Sequence, residues 1–173
     1  IYDEIDDTII AFDPNEAIKR DLYITDTTFR DGQQARPPYS IEQIIDLYKL
    51  LSKLGGPNGV IRQSEFFLYS KKDRAAVSAV KNLGYRYPQV VGWIRADKGD
   101  LSQVRRLDLA ETGILTSCSD YHIFLKLKKN RETIMEQYLD IVQDAINSGI
   151  RPRCHLEDVT RADIDGFVIP FIK

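Results

Sequence analysis

Five times along this chain a short run of β-branched and aromatic residues gives way to an amphipathic stretch closed by glycine or a polar cluster. That alternation constrains the fold more than any other feature. Parallel strands need crossovers of a dozen or more residues, and helices are the usual crossover. The strand candidates are 22–25, 59–67, 89–94, 112–116 and 151–156. Ser40-Ile41-Glu42-Gln43 can cap a helix whose apolar positions Ile44, Leu47, Tyr48, Leu51 and Leu54 keep helical spacing until Gly55-Gly56. Further helices are expected over 71–83, closed by Gly84, and over 101–109. The clearest runs over 131–147, with Ile134, Tyr138, Ile141, Val142 and Ala145 on one face and Gly149 past its end. Another should begin at Ala162. Residues 1–20 are acidic and weakly patterned, an N-terminal extension in which 8–12 reads as a short strand and 13–16 as a turn.

With 173 residues, 43% of them hydrophobic, the chain can bury one sizeable core and favours one domain. A net charge of −2, from 24 basic and 26 acidic residues, argues against a nucleic-acid surface or a basic membrane-binding face. No apolar run approaches the length of a membrane-spanning helix. Cys118 and Cys154 are too few and too scattered for a disulfide framework. They read as reduced thiols of a cytoplasmic protein, packed as small buried hydrophobes. The chain opens on Ile1 and stops in the apolar stretch Phe167-Val168-Ile169-Pro170-Phe171-Ile172-Lys173, which suggests part of a longer product. A complete (β/α)8 barrel takes about 250 residues, whereas an open doubly wound sheet would fit this length. Periodicity alone does not separate them.

The chemistry concentrates in Ile24-Thr25-Asp26-Thr27-Thr28-Phe29-Arg30-Asp31-Gly32-Gln33-Gln34. A β-branched run leads there into an Arg-Asp-Gly turn, so the polar pair sits where a buried sheet meets solvent. Asp31 can offer a hard oxygen to a divalent cation, and Arg30 can stabilise a developing oxyanion. A loop salt bridge, with Gly32 serving the turn, accounts for the residues equally well. If all strands face one way, their C-terminal ends gather Arg30, Asp31, Glu65, Arg95, Ser117, Ser119, Asp120, His122, Arg153, His155 and Glu157 near a common mouth. Arg153, His155 and Glu157 alternate at period two and so share one face. Such charges could also form an internal salt-bridge network that only holds strand ends. Trp93 and the tyrosines read as core and rim packing, and the stretch from Lys126 to Lys129 as a solvated approach to a helix that could meet a CoA phosphate.

Residues 26–34 resemble the D-T-T-L-R-D-G-x-Q signature of the metal-dependent aldolase-like barrel family, with Phe29 in place of Leu. That family includes 2-isopropylmalate synthase, homocitrate synthase and 3-hydroxy-3-methylglutaryl-CoA lyase. A second block, Arg153-Cys154-His155-Leu156-Glu157-Asp158-Val159-Thr160-Arg161-Ala162-Asp163, is similar to the family's fifth-strand segment R-F-S-x-E-D-x-x-R-x-D. Ser119-Asp120-Tyr121-His122 resembles its T-S-x-x-H segment. The resemblance implies an α/β fold of (β/α)8 TIM-barrel type, with about the first five βα units in residues 21–173.

It also implies a reaction, the metal-dependent Claisen condensation of acetyl-CoA with a 2-oxo acid, in a cytoplasmic homo-oligomer of amino-acid biosynthesis. Arg30 would then stabilise negative charge as it develops, Glu157 would take part in orienting or acid–base steps, and Glu65 would position the Arg-Asp pair. Gln34, Arg95, His122, Arg153 and His155 are the expected substrate contacts. Asp31 is the expected ligand of Mg, Mn or Zn. Asp-Gly-Gln-Gln at 31–34 lies nearer the synthases' D-G-E-Q than the D-G-H-Q of biotin-dependent carboxyltransferases. A lyase or aldolase on the same scaffold, or a half-barrel that only binds or oligomerises, are the alternatives. Three departures stand out: the family's His-x-His metal pair is absent, His155 replaces a small Ser, and Arg36-Pro37-Pro38-Tyr39 lengthens and stiffens the loop after the signature.

Overall fold

The computed structural model describes residues 22–173; the expected extension, with its strand at 8–12 and turn at 13–16, lies outside them. Five strands, β1 (Ile24–Asp26), β2 (Ile61–Phe67), β3 (Gln89–Arg95), β4 (Glu111–Ser117) and β5 (Arg151–Glu157), pair in the order β1-β2-β3-β4-β5, every pair parallel. A doubly wound sheet reverses its order at a switch point. The unbroken sequential order here is that of a barrel wall, and the chain forms its first five strands.

The crossovers are α1 (Ile41–Gly55), α2 (Lys71–Lys81), α3 (Lys98–Arg106) and α4 (Arg131–Asn147), with a short α5 (Ile169–Ile172) after β5. Local chemistry sets their ends. Ser40 and Gln43 form a reciprocal capping box, Gln43 N donating to Ser40 Oγ at 3.2 Å and Ser40 N to Gln43 Oε1 at 2.9 Å. Asp97 accepts from Gly99 N and Asp100 N at 2.8 and 3.1 Å, which starts α3 at Lys98 rather than at 101. That helix ends at Arg106, and the left-handed Asp108 (φ 50°) turns the chain so that Leu109 packs in the loop instead. The helix expected from Ala162 begins later, at Ile164, as a π-helical turn capped by Asp163 accepting from Gly166 N.

The two faces of the sheet separate by strand parity. Phe66, Leu68, Ile94, Ala96 and Ile114 point outward and are buried with Tyr48, Val77, Leu101, Ile141 and other helix residues. Alternate residues point into the barrel and are largely polar: Gln63, Glu65, Glu111, Arg153, His155 and Glu157. Cys118 is buried as expected, but Cys154 is exposed. On β5 it pairs in register with the outward Ile114 of β4.

Candidate active site

The Arg-Asp turn is fixed from beneath. Asp26, at the end of β1, accepts through Oδ1 from Thr28 Oγ1 (2.6 Å) and Thr28 N (3.2 Å), and through Oδ2 from Ser64 Oγ (2.6 Å). Phe29 is only 1% exposed and stacks on Phe66 with ring centroids 4.7 Å apart. With Phe29 anchored outward in the core, Arg30 is turned inward. Its guanidinium lies 3.7 Å over the Trp93 ring, within cation–π range. Nη2 is 2.9 Å from Asp31 Oδ2, and Nε is 2.9 Å from Glu65 Oε2, an ion pair by distance rather than an aligned hydrogen bond. Gln33 ties the loop down, donating to Phe29 O at 2.8 Å and accepting from Tyr39 N at 3.0 Å.

Glu157 reaches the same mouth from the end of β5, level with Ser117 in the register. Ser117 Oγ donates to its Oε2, Lys126 Nζ lies 3.1 Å from both carboxylate oxygens, and His122 Nδ1 is 3.1 Å from Oε2. Burial pushes its pKa up. The Ser117 and Lys126 hydrogen bonds, with the charges of Lys126 and His122, outweigh burial and hold it below the usual glutamate value. Glu157 is therefore an ionised acceptor at neutral pH.

These groups converge on one open hollow of about 590 Å³, whose lining includes Arg30, Asp31, Gln34, Trp93, Arg95, Lys126 and Glu157. The expected residues Arg30, Asp31, Gln34, Arg95 and Glu157 are thus brought together. Arg95 is held in place, its Nε and Nη2 2.8 and 2.9 Å from the Asp100 carboxylate. A second cavity of about 290 Å³ adjoins and shares Arg95 and Lys126. The stiffened stretch 36–39 lines neither cavity.

Four expected site residues stand off the hollow. Glu65, 1% exposed, lies beneath Arg30 and also accepts from Arg153 Nη2 at 2.5 Å. Arg153 Nε is 3.3 Å from Glu111 Oε1, Arg151 Nη2 is 2.8 Å from Glu111 Oε2, and Gln63 donates to Glu111 at 2.8 Å. Arg30, Glu65, Arg153, Glu111 and Arg151 thus form a column of alternating charge down the inside of the wall, in which Arg153 is structural rather than a mouth residue. His155 packs edge-tilted on Trp93, centroids 4.3 Å apart. Burial, then Arg153 and Arg30, lowers its pKa to about 4, so it is neutral at physiological pH. His122 sits behind Glu157. Ser119 donates to Asp158, and Asp120 clamps Arg131 at 2.7 and 2.8 Å, so both serve the loop rather than the hollow.

The column and the hollow are both present, so the two readings of these charges divide by depth. Sequence reasoning missed two residues. Trp93 supports Arg30 instead of only packing. Lys126, set down as solvated, grips Glu157 because a π-helical turn at Tyr121–Lys126 folds it back over the mouth.

Asp31 is half-exposed on the hollow and chemically suited to a hard cation. Among the described residues, however, no group of three or more His, Cys, Asp or Glu side chains could hold one. A single carboxylate beside an arginine does not make a metal site.

The residue pattern and geometry together match a known family. The model of the HMGL-like family matches residues 21–169, and the chain belongs to that family. It is 57% identical, over 98% of its own length, to the citrate (Re)-synthase of Syntrophus aciditrophicus, of which it covers 27%. With the citrate (Re)-synthase of Clostridium kluyveri it shares 56% identity over 88% of its length and 34% of that protein. The chain therefore spans about a third or less of these relatives. The crystal structure of HMG-CoA lyase from Brucella melitensis superposes with a TM-score of 0.59 at 14% identity, covering 78% of this chain and 48% of that one, which shows the shared fold.

Proposed function

We propose that the protein containing this chain joins the acetyl group of acetyl-CoA to the carbonyl carbon of a 2-oxo acid, and that this acid is oxaloacetate, giving citrate. The observation that carries the reading is the convergence of Arg30, Asp31 and Glu157 on one hollow. The choice of oxaloacetate rests on the similarity to two citrate (Re)-synthases. In the reaction the thioester methyl group loses a proton, its carbon attacks the acceptor carbonyl, and water then cleaves the thioester to free CoA.

Arg30 contributes a fixed cation where the acceptor oxygen gains charge. The Trp93 face and Glu65 hold that cation, so little reorganisation is needed when charge develops. Glu157, kept ionised by Ser117, Lys126 and His122, is an acceptor at the mouth of the hollow that can take up the proton the thioester methyl group loses. A divalent cation, when bound, would polarise the acceptor carbonyl, and Asp31 would be one of the residues holding it.

The full-length protein, given acetyl-CoA, oxaloacetate and Mn²⁺, should release CoA thiol in step with citrate. Chelation should stop both. Absence of thiol release with oxaloacetate, pyruvate and 2-oxoglutarate alike refutes the reading. Consumption of citrate with no condensation in either assay would assign the lyase direction.

A further inference from the structure

Among the residues lining the hollow, Trp93, 6% exposed, and Phe67, its partner in register on β2, stand furthest back along the sheet. His155 packs beside Trp93, and its Nε2 is shut off from solvent with no hydrogen-bond partner among the described residues. His155 itself does not line the hollow. Further back on β5, Arg153 is committed to Glu65 and Glu111.

Trp93 can lie flat across the barrel only because its neighbour on β4 is Gly113, its partner in register. A Cβ at 113 would stand 2.5 Å from Trp93 Cε3 and 2.9 Å from Cζ3, and 3.4 Å from His155 Nε2. The small residue and the two rings are one layer: Gly113 provides the space, Trp93 fills it, and His155 supports Trp93 from β5.

A 2-oxo acid whose carbonyl oxygen meets Arg30 has two directions for the rest of its chain. Down the barrel axis it meets the Trp93 ring. Across the mouth it meets Arg95 and Lys126, the other cations lining the hollow. Only a short acid with a charged far end suits the second route.

We propose that the Trp93–Gly113–His155 layer is a length stop, a specificity-determining device that limits the acceptor to short dicarboxylic 2-oxo acids. It rests on the condensation proposed above and deepens it by naming what selects the acid. The His155 side chain acts through Trp93; it is a positioning residue.

The test uses full-length protein and compares kcat/KM for oxaloacetate, 2-oxoglutarate and 2-oxoadipate, which differ by single methylenes. A tight pocket discriminates roughly 10–200-fold per methylene, so the wild type should favour oxaloacetate by at least about tenfold. Trp93→Ala should narrow the preference over 2-oxoglutarate by about tenfold or more, while its turnover of oxaloacetate falls because Arg30 loses its platform. His155→Ser should narrow it less, and it decides the matter alone if Trp93→Ala does not fold. A wild type that accepts the longer acids equally well, or variants that keep the wild-type length profile, would overturn the length stop while leaving the condensation intact. A wild type that condenses no 2-oxo acid ends both.

Discussion

The two ends of the barrel wall use the same residue types to opposite effect. At the N-terminal end Arg151, Glu111, Gln63 and Arg153 meet one another across strands. At the C-terminal end Arg30, Asp31, Arg95, Lys126 and Glu157 also pair, but each keeps a face on an open hollow. Buried charge is tolerated only when partnered, so both ends satisfy the same physical demand. Both sets also border open space, the first on a cavity of about 430 Å³ and the second on the hollow of about 590 Å³. What distinguishes them is content: only the mouth brings the Arg30-Asp31 turn and Glu157 together.

Substitutions can break that contrast or sharpen it. Glu65 joins the two ends, and Glu65→Ala would leave Arg30 and Arg153 without their shared anion. It should lower the stability of the full-length protein by about 3–5 kcal/mol, read from denaturant midpoints, and a near-neutral effect would show that the column is not a unit. Arg30→Ala should cost about 10²–10³ in kcat, with stability changed far less; an unchanged rate would remove Arg30 from the chemistry.

Glu157→Gln addresses pH. The folded pKa of Glu157 is depressed, so its ion pairing stabilises the fold above the unfolded glutamate pKa and fades as pH falls through the lower folded value. Stability measured between neutrality and acid should therefore fall less steeply in the Gln variant than in wild type. Arg151→Ala should have the smallest effect, within about 1 kcal/mol and with no change in kcat, because that side chain is 69% exposed and closes only the outer end of the column.

The helices and strands were largely readable because each has an apolar period, and their ends shifted only where caps such as Asp97 decided the start. The Arg30-Asp31 turn and Glu157 were readable from their motifs. Depth was not. Arg153, His155 and Glu157 share a face by parity, yet four residues of strand separate the first from the last by about 13 Å along β5. Register decides which of them meets solvent, and it is set by neighbouring strands: Gly113 opposite Arg153, Ser117 opposite Glu157. Lys126 was misplaced because a single π-helical turn leaves no repeating pattern, and Trp93 because its role depends on the missing side chain at Gly113.

Phe29 sits one residue before Arg30 and is wedged among Phe66 and Tyr48. The reactive loop is thus bolted to the hydrophobic interior by its own adjacent side chain. It has no melting point of its own: on warming, catalytic competence and global packing should disappear in one transition, without an earlier stage in which an intact scaffold carries a loosened site.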